Sequence, residues 1–239
     1  MVRAAERRRF RRGARIVAAS LLALAAGAAC PAHAAGDPIR FVYLVRHGDY
    51  DRDPEADDTK LNGLNPLGRE QAKLVAGRLA SIGAPIDTLV SSDFTRARET
   101  ADTIGLALGL TPARDPRIHE CVPREPDPRP DAGPEPSDQA TCEANLAAAY
   151  ASYFRPAPGR DQRDVLVCHG NVIRWMVRKA MGVSTAGWRS LDVANAALTV
   201  IAVRPDGSTS LVSFNDVGHL PRERQTWLGP GPGWTRSGR

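Results

Sequence analysis

From residue 38 onward the chain alternates short apolar runs with longer stretches in which apolar positions recur every three or four residues. Unbroken apolar runs suit strands buried on both faces, and the 3.6-residue period suits helices laid against such a sheet. Phe41-Val42-Tyr43-Leu44-Val45 predicts a buried first strand. Pro66 opens a helix on which Leu67, Ala72, Leu74, Val75 and Leu79 recur, and Gly83 and Pro85 close it. A second strand is expected over 88–90, followed by a helix capped by Thr95 and running to about Leu108. Helix returns over 138–154, strand over 165–168 and helix over 171–181. A hairpin pairs 197–203 with 209–214 around a turn at Pro205-Asp206-Gly207. No internal repeat is visible, and the alternation predicts an α/β three-layer sandwich, a mostly parallel central sheet flanked by helices.

With 239 residues and 42% apolar content the chain is large enough to bury one sizeable core, so a single domain over 35–228 is expected, with a loose tail at 229–239. Between Cys121 and Ser137 proline and aspartate recur too often for helix or strand, which marks a loop or cover. The formal net charge of +5 does not describe the domain. Residues 1–34 hold seven arginines against one glutamate, so the rest of the chain is close to neutral and shows no basic, aromatic-laced surface for nucleic acid. That segment joins a basic stretch over 7–15 to an apolar run over 16–29 and to Ala32-His33-Ala34, a small-x-small cleavage pattern. The apolar run is short for a membrane span. The expectation is a signal peptide and an exported, periplasmic enzyme with no stable membrane insertion after cleavage. Arg7-Arg8-Arg9-Phe10 has the form of a twin-arginine signal. Cys30 lacks the leucine that a lipid-modified cysteine would want at Gly27, and a mitochondrial presequence, also arginine-rich and acid-poor, is the rival address.

The first strand runs straight into Arg46-His47-Gly48. Ligands bind beyond the carboxyl ends of parallel strands, so these residues stand where a site forms. A phosphoryl-transfer nucleophile needs a neutral ring nitrogen, a permanent cation beside it and room for approach, which His47, Arg46 and Gly48 supply in order. A second strand end carries Val167-Cys168-His169-Gly170-Asn171, with helix beginning at once, and the N–H groups of a helix start favour an anion. Either histidine alone reads as a satisfied structural residue; two His-Gly pairs, each directly after an apolar strand, read as a site. Arg96 lies just past the second strand in the first turn of its helix, where a guanidinium grips two phosphate oxygens. Arg98, two residues on, points elsewhere and suits a surface salt bridge. His119 and His219 read as surface or supporting residues. Neither C-x-x-C nor paired-histidine spacing occurs, so no metal is expected.

Together these residues resemble the histidine phosphatase superfamily, which includes the phosphoglycerate mutases and acid phosphatases, and the likeness covers nearly all of the mature chain. Within it the chain is most similar to the mitochondrial phosphoglycerate-mutase-like Ser/Thr protein phosphatases. That likeness lies in Leu64-Asn65-Pro66-Leu67-Gly68-Arg69-Glu70-Gln71-Ala72, in Glu120 through Glu125-Pro126-Asp127-Pro128, in 167–174, and in Arg204-Pro205-Asp206-Gly207. The resemblance implies that His47 is phosphorylated and that Arg46, Arg96 and His169 hold the phosphoryl group. It implies that Glu120 protonates the leaving oxygen, that Gly170 and Asn171 contact substrate, and that no metal or cofactor takes part. Asp49 stands where mutases usually carry glutamate, and the long mutase insertion is absent, which argues against a glycolytic mutase.

The expected function is therefore a phosphomonoesterase, acting on phosphoserine or phosphothreonine in proteins or, as a periplasmic acid phosphatase, on small phosphoesters. A catalytically silent module holding phosphorylated ligands is the remaining class, and loss of a core residue, which does not occur here, would mark it. The mature chain keeps three cysteines. Cys168 precedes His169 on a strand and so faces away from it as an inert thiol. Cys121 and Cys142 flank the cover, and in an oxidising compartment a bond between them would stabilise by about 3 kcal/mol.

Overall fold

A computed structural model describes residues 36–123, 137–183 and 191–227. The leader at 1–34, the cover at 124–136 and the tail from 229 lie outside the described residues. The elements in chain order are β1 (Arg40–Arg46), α1 (Pro66–Ala80), β2 (Thr88–Ser91), α2 (Thr95–Leu108), β3 (Ala113–Arg114) and α3 (Ser137–Tyr153). They continue with β4 (Gln162–Cys168), α4 (Gly170–Met181), β5 (Leu198–Val203) and β6 (Thr209–Asp216). Short 3-10 turns occupy Pro116–Ile118 and Arg222–Arg224.

The six strands form one sheet in the order β3-β2-β4-β1-β5-β6. β3, β2, β4 and β1 run parallel, while β5 returns antiparallel to β1 and forms the hairpin with β6. Side chains alternate across a strand, and the core divides accordingly. Val42, Leu44, Leu166 and Cys168 join Leu146, Ala149, Val172 and Met176 of α3 and α4 on one face. Tyr43, Val45, Val165 and Val167 join Val75, Leu79, Ala97 and Ile104 of α1 and α2 on the other. The continuous apolar runs follow from this burial on both faces. The expected sandwich is the observed one; the sequence pattern missed only the two-residue β3, too short to carry a period.

The segment around α1 shows why its residues take the order they do. Asn65 caps the helix, its side chain accepting from the Gly68 N–H at 2.8 Å, and Pro66 occupies the first turn, where no donor is needed. Gly68 lies against the loop that leaves β1, so close that a Cβ on it would meet Asp49 O at 1.9 Å. The approach is mutual, since a Cβ on Gly48 would meet Gly68 O at 2.4 Å. Gln71, fully buried, accepts from the Asp49 N–H at 2.8 Å and donates to Arg224 O at 2.7 Å. α1 thus clamps the chain immediately after His47.

Two local expectations need correction. Thr95 is the first residue of α2 rather than its cap; Phe94 takes the capping position without a side-chain bond, and the Thr95 hydroxyl donates to Asp58 O at 3.0 Å. Arg98 forms no ion pair among the described residues; its guanidinium donates to Thr95 Oγ1 at 3.3 Å. Cys121 and Cys142 are joined by a disulfide with Cα atoms 5.9 Å apart, and Cys168 is a buried free thiol.

The glycines of α1 give a graded test. Gly68→Ala forces a backbone collision and is expected to destabilise by about 3 kcal/mol, at the upper end of overpacking costs. Gly77→Ala meets nothing within 4 Å, and should stabilise by about 0.5–1 kcal/mol through helix propensity. Chemical denaturation of the two variants checks both signs.

Candidate active site

β1 and β4 pair in parallel with Arg46 opposite Cys168, so the residues that follow, His47 and His169, emerge side by side at the carboxyl edge. The His47 N–H donates to Cys168 O at 3.0 Å, and the two imidazole centroids are 5.1 Å apart. β2 flanks β4 with Ser91 opposite Val167. The first turn of α2, with Arg96, is thereby delivered to the same edge.

His47 is 2% exposed. Its Nδ1 lies 2.7 Å from the Gly48 carbonyl, which can only accept, so Nδ1 carries the proton. Its Nε2 accepts from the Arg96 Nε–H at 3.3 Å and therefore keeps a lone pair directed at the guanidinium. Burial above all, then Arg46 and Arg96, holds the imidazole well below its ordinary value of 6.5. It is neutral at neutral pH. His169 is likewise held well below 6.5 by burial and by the neighbouring cationic groups. Its Nε2 sits 2.9 Å from Ser92 Oγ, and its Nδ1 is buried without a partner among the described residues.

Two cations frame the imidazoles. Arg46 donates through Nη1 to Val193 O at 2.6 Å, while its Nε is buried without a partner. Burial lowers its pKa to about 10 against the pull of Glu120, Tyr50 and Asp192, so it stays charged at neutral pH. Arg96, 3% exposed, donates to Asp58 Oδ1 at 2.5 Å and lies 4.5 Å above the Tyr50 ring, which itself meets His47 edge-on at 5.2 Å.

Glu120 approaches from the loop after Ile118, which is fully buried, and His119, which stacks on Phe94 at 4.3 Å and contacts Asp93. The Asn171 backbone at the start of α4 favours its charged form, and its Oε1 is buried without a partner among the described residues. Burial raises its pKa against the opposing pull of Arg46 and Arg96. A neutral nucleophilic nitrogen, two fixed cations, a free imidazole Nδ1 and a carboxyl biased toward its protonated form thus share one edge of the sheet. This set matches what transfer of a phosphoryl group requires.

The structure brings His47, Arg46, Arg96, His169 and Glu120 together. It gives Gly48 a different use: the space it leaves is taken by Gly68, and its N–H donates to Thr100 Oγ1 at 3.1 Å. Gly170, the first residue of α4, is buried. Asn171, expected at the substrate, is engaged by the protein, its Oδ1 accepting from Arg174 Nη1 at 3.1 Å. Tyr50, Asp58, Ser92 and Asn195 were not foreseen. Asn195 donates to His47 O at 3.1 Å across 148 residues of chain, a pairing with no local signal. A cavity of about 470 Å³ lined by Arg40, Thr88 and Asp164 lies at the amino ends of β1 and β2, away from these groups. Its Arg40–Asp164 pair satisfies itself.

Residues 42–125 and 135–217 match the model of the histidine phosphatase superfamily, branch 1. The chain belongs to that superfamily. It is 35% identical over 196 residues to the mitochondrial serine/threonine-protein phosphatase PGAM5 of Mus musculus, covering 78% of this chain and 66% of that protein. To the corresponding Caenorhabditis elegans protein it is 37% identical over 192 residues, covering 76% and 64%. The chain therefore spans just under two thirds of the length of these relatives. Among solved structures, mycobacterial glucosyl-3-phosphoglycerate phosphatase superposes with a TM-score of 0.55 at 26% identity, over 74% of this chain and 99% of that one. Bacillus stearothermophilus YhfR shares the fold with a TM-score of 0.61 at 18% identity, over 75% and 98%.

These relatives overturn the expectation of an exported, periplasmic enzyme, because they are named as mitochondrial and so point to that address. The physical reason is that a basic, acid-poor, apolar leader meets the needs of both secretory signals and mitochondrial presequences.

Burying two neutral histidines makes stability depend on pH. Both have folded pKa values below the unfolded value of 6.5, so the unfolded chain binds more protons below that pH. Stability is then lost as pH falls through 6.5 toward the folded values, by up to about 1.4 kcal/mol per histidine per pH unit. Denaturation midpoints between about pH 7 and pH 5 measure the slope, and His47→Asn should reduce it by the share of one histidine, since His169, His119 and His219 are also held below 6.5 and keep contributing.

Proposed function

We propose that the chain hydrolyses phosphate monoesters in two displacements through a phosphohistidine on His47. The single observation that carries this reading is the orientation of His47. Nδ1–H is tied to Gly48 O, and the Nε2 lone pair is presented beside Arg96. In the first displacement Nε2 attacks phosphorus, the ester P–O bond breaks, and Glu120 passes its proton to the departing oxygen. Arg46, Arg96 and His169 hold the three non-bridging oxygens, whose charge the site meets with donors already in place. In the second, water attacks the phosphohistidine, Glu120 takes a proton from it, and inorganic phosphate leaves with His47 restored.

For the substrate, the identities of 35% and 37% to serine/threonine-protein phosphatases favour phosphoserine or phosphothreonine in proteins. A small phosphorylated metabolite is the second reading, supported by the 26% identical mycobacterial phosphatase, whose site serves a phosphoglycerate ester. Both need the same five residues. Relative kcat/KM on phosphopeptides and on sugar and glycerate phosphates decides between them.

The mechanism is tested at two residues. Rapid quenching with labelled substrate should trap an acid-labile, base-stable phosphoenzyme, and His47→Ala should form none; full turnover by that variant would overturn the nucleophile. Glu120→Gln should slow an alkyl phosphate by about 10²- to 10⁴-fold while sparing nitrophenyl phosphate, whose leaving group hardly needs a proton. Because the acid form of Glu120 is the active one, turnover of alkyl phosphates should fall as pH rises through its raised pKa, and this limb should be absent in Glu120→Gln.

A further inference from the structure

Glu120 sits at the end of a well-anchored stretch of chain. Ile118 is in the core, and His119 lies on Phe94 and contacts Asp93. The residue after Glu120, Cys121, is bonded to Cys142 of α3, and the described chain stops two residues later, at Pro123. Among the described residues the disulfide ties the chain directly beyond the carboxyl group to α3. Its far end is placed with the same care. Cys142 is 4% exposed in the core, and its neighbour Glu143 accepts from Trp175 Nε1 at 2.8 Å. Trp175 lies one turn along α4 from Asn171. The contacts run from α4 through Trp175 to Glu143 of α3, and from α3 through Cys142 to Cys121, the residue after Glu120.

We infer that the Cys121–Cys142 disulfide positions Glu120 over the leaving oxygen, so that reducing it selectively lowers turnover of substrates with poor leaving groups. The inference rests on the reading of Glu120 as proton donor. The disulfide is a positioning element, since neither sulfur touches the reacting atoms. Cys121 is partly exposed, so a dithiol reductant can reach it. A thiolate of the reductant attacks a cystine sulfur and breaks the S–S bond, and its second thiol then closes an oxidised ring. Two electrons and two protons pass to the protein, which ends with thiols at 121 and 142. His47, Arg46, Arg96 and His169 reside on strand ends and helix starts that the bond does not span, so phosphoenzyme formation from activated esters is retained.

The test compares the full chain oxidised, reduced with dithiothreitol, and as Cys121→Ser/Cys142→Ser, on glycerol phosphate and on nitrophenyl phosphate. Turnover of glycerol phosphate should fall about tenfold on reduction, the scale of a displacement of under 1 Å, while nitrophenyl phosphate changes by less than about twofold. Reoxidation should restore the wild type and not the double serine variant. In Glu120→Gln, reduction should have no further effect on glycerol phosphate, because the group being positioned is gone. Equal losses on both esters would reduce the bond to a general stabiliser and overturn the inference, as would no loss on either. Selective loss in Glu120→Gln without any effect of reduction overturns the inference alone. Equal loss on both esters in Glu120→Gln removes the proton-donor reading itself.

Discussion

The parallel pairing of β1 with β4, Arg46 opposite Cys168, leaves His47 and His169 to emerge one strand spacing apart at the same edge. Most of the site follows from it, while Glu120 arrives separately on the loop after Ile118. Arg46 is the residue before one histidine, the start of α4 is the residue after the other, and β2 brings Arg96 alongside because it pairs with β4 in the same direction. A register shift of one residue would turn each side chain to the opposite face and separate the imidazoles. Burial on both faces of these strands makes such a shift expensive, so the apolar runs that look like mere core fix where the polar groups emerge.

Two arginines and two histidines in a dry corner would repel one another without countermeasures. The imidazoles remain neutral, Arg46 donates to a carbonyl, and Arg96 donates both to the Asp58 carboxylate and to the lone pair of His47 Nε2. Part of the frame holds a strained backbone: Ala196 adopts a φ of 54° so that its N–H can reach Arg46 O at 3.0 Å, while Asn195 holds His47 O. A non-glycine residue in the left-handed region costs about 1 kcal/mol, offset here by satisfying carbonyls that the end of β1 would leave open.

What could be read from the sequence depended on distance along the chain. His47 and His169 were legible because strand, histidine and glycine are contiguous in each case, and Arg96 because helix follows strand within a few residues. Glu120 was visible only through family likeness, since no periodicity marks a loop carboxylate. Asp58, Ser92 and Asn195 were not legible, because their partners lie 38, 77 and 148 residues away. Gly48 was assigned to the ligand when its bare Cα serves Gly68; a sequence shows that a glycine is needed without showing what approaches it. Thr95 was misplaced by one residue, as helix ends often are. The leader was legible as a targeting segment, but its chemistry is shared by two destinations.

A corner whose cations, imidazole Nδ1 and orphaned Arg46 Nε stand ready before any ligand arrives does not distinguish strongly between an ester's phosphoryl group and the free anion left after hydrolysis. On the proposed mechanism the free anion meets the same donors as the ester's phosphoryl group, so inorganic phosphate competes with substrate for this corner.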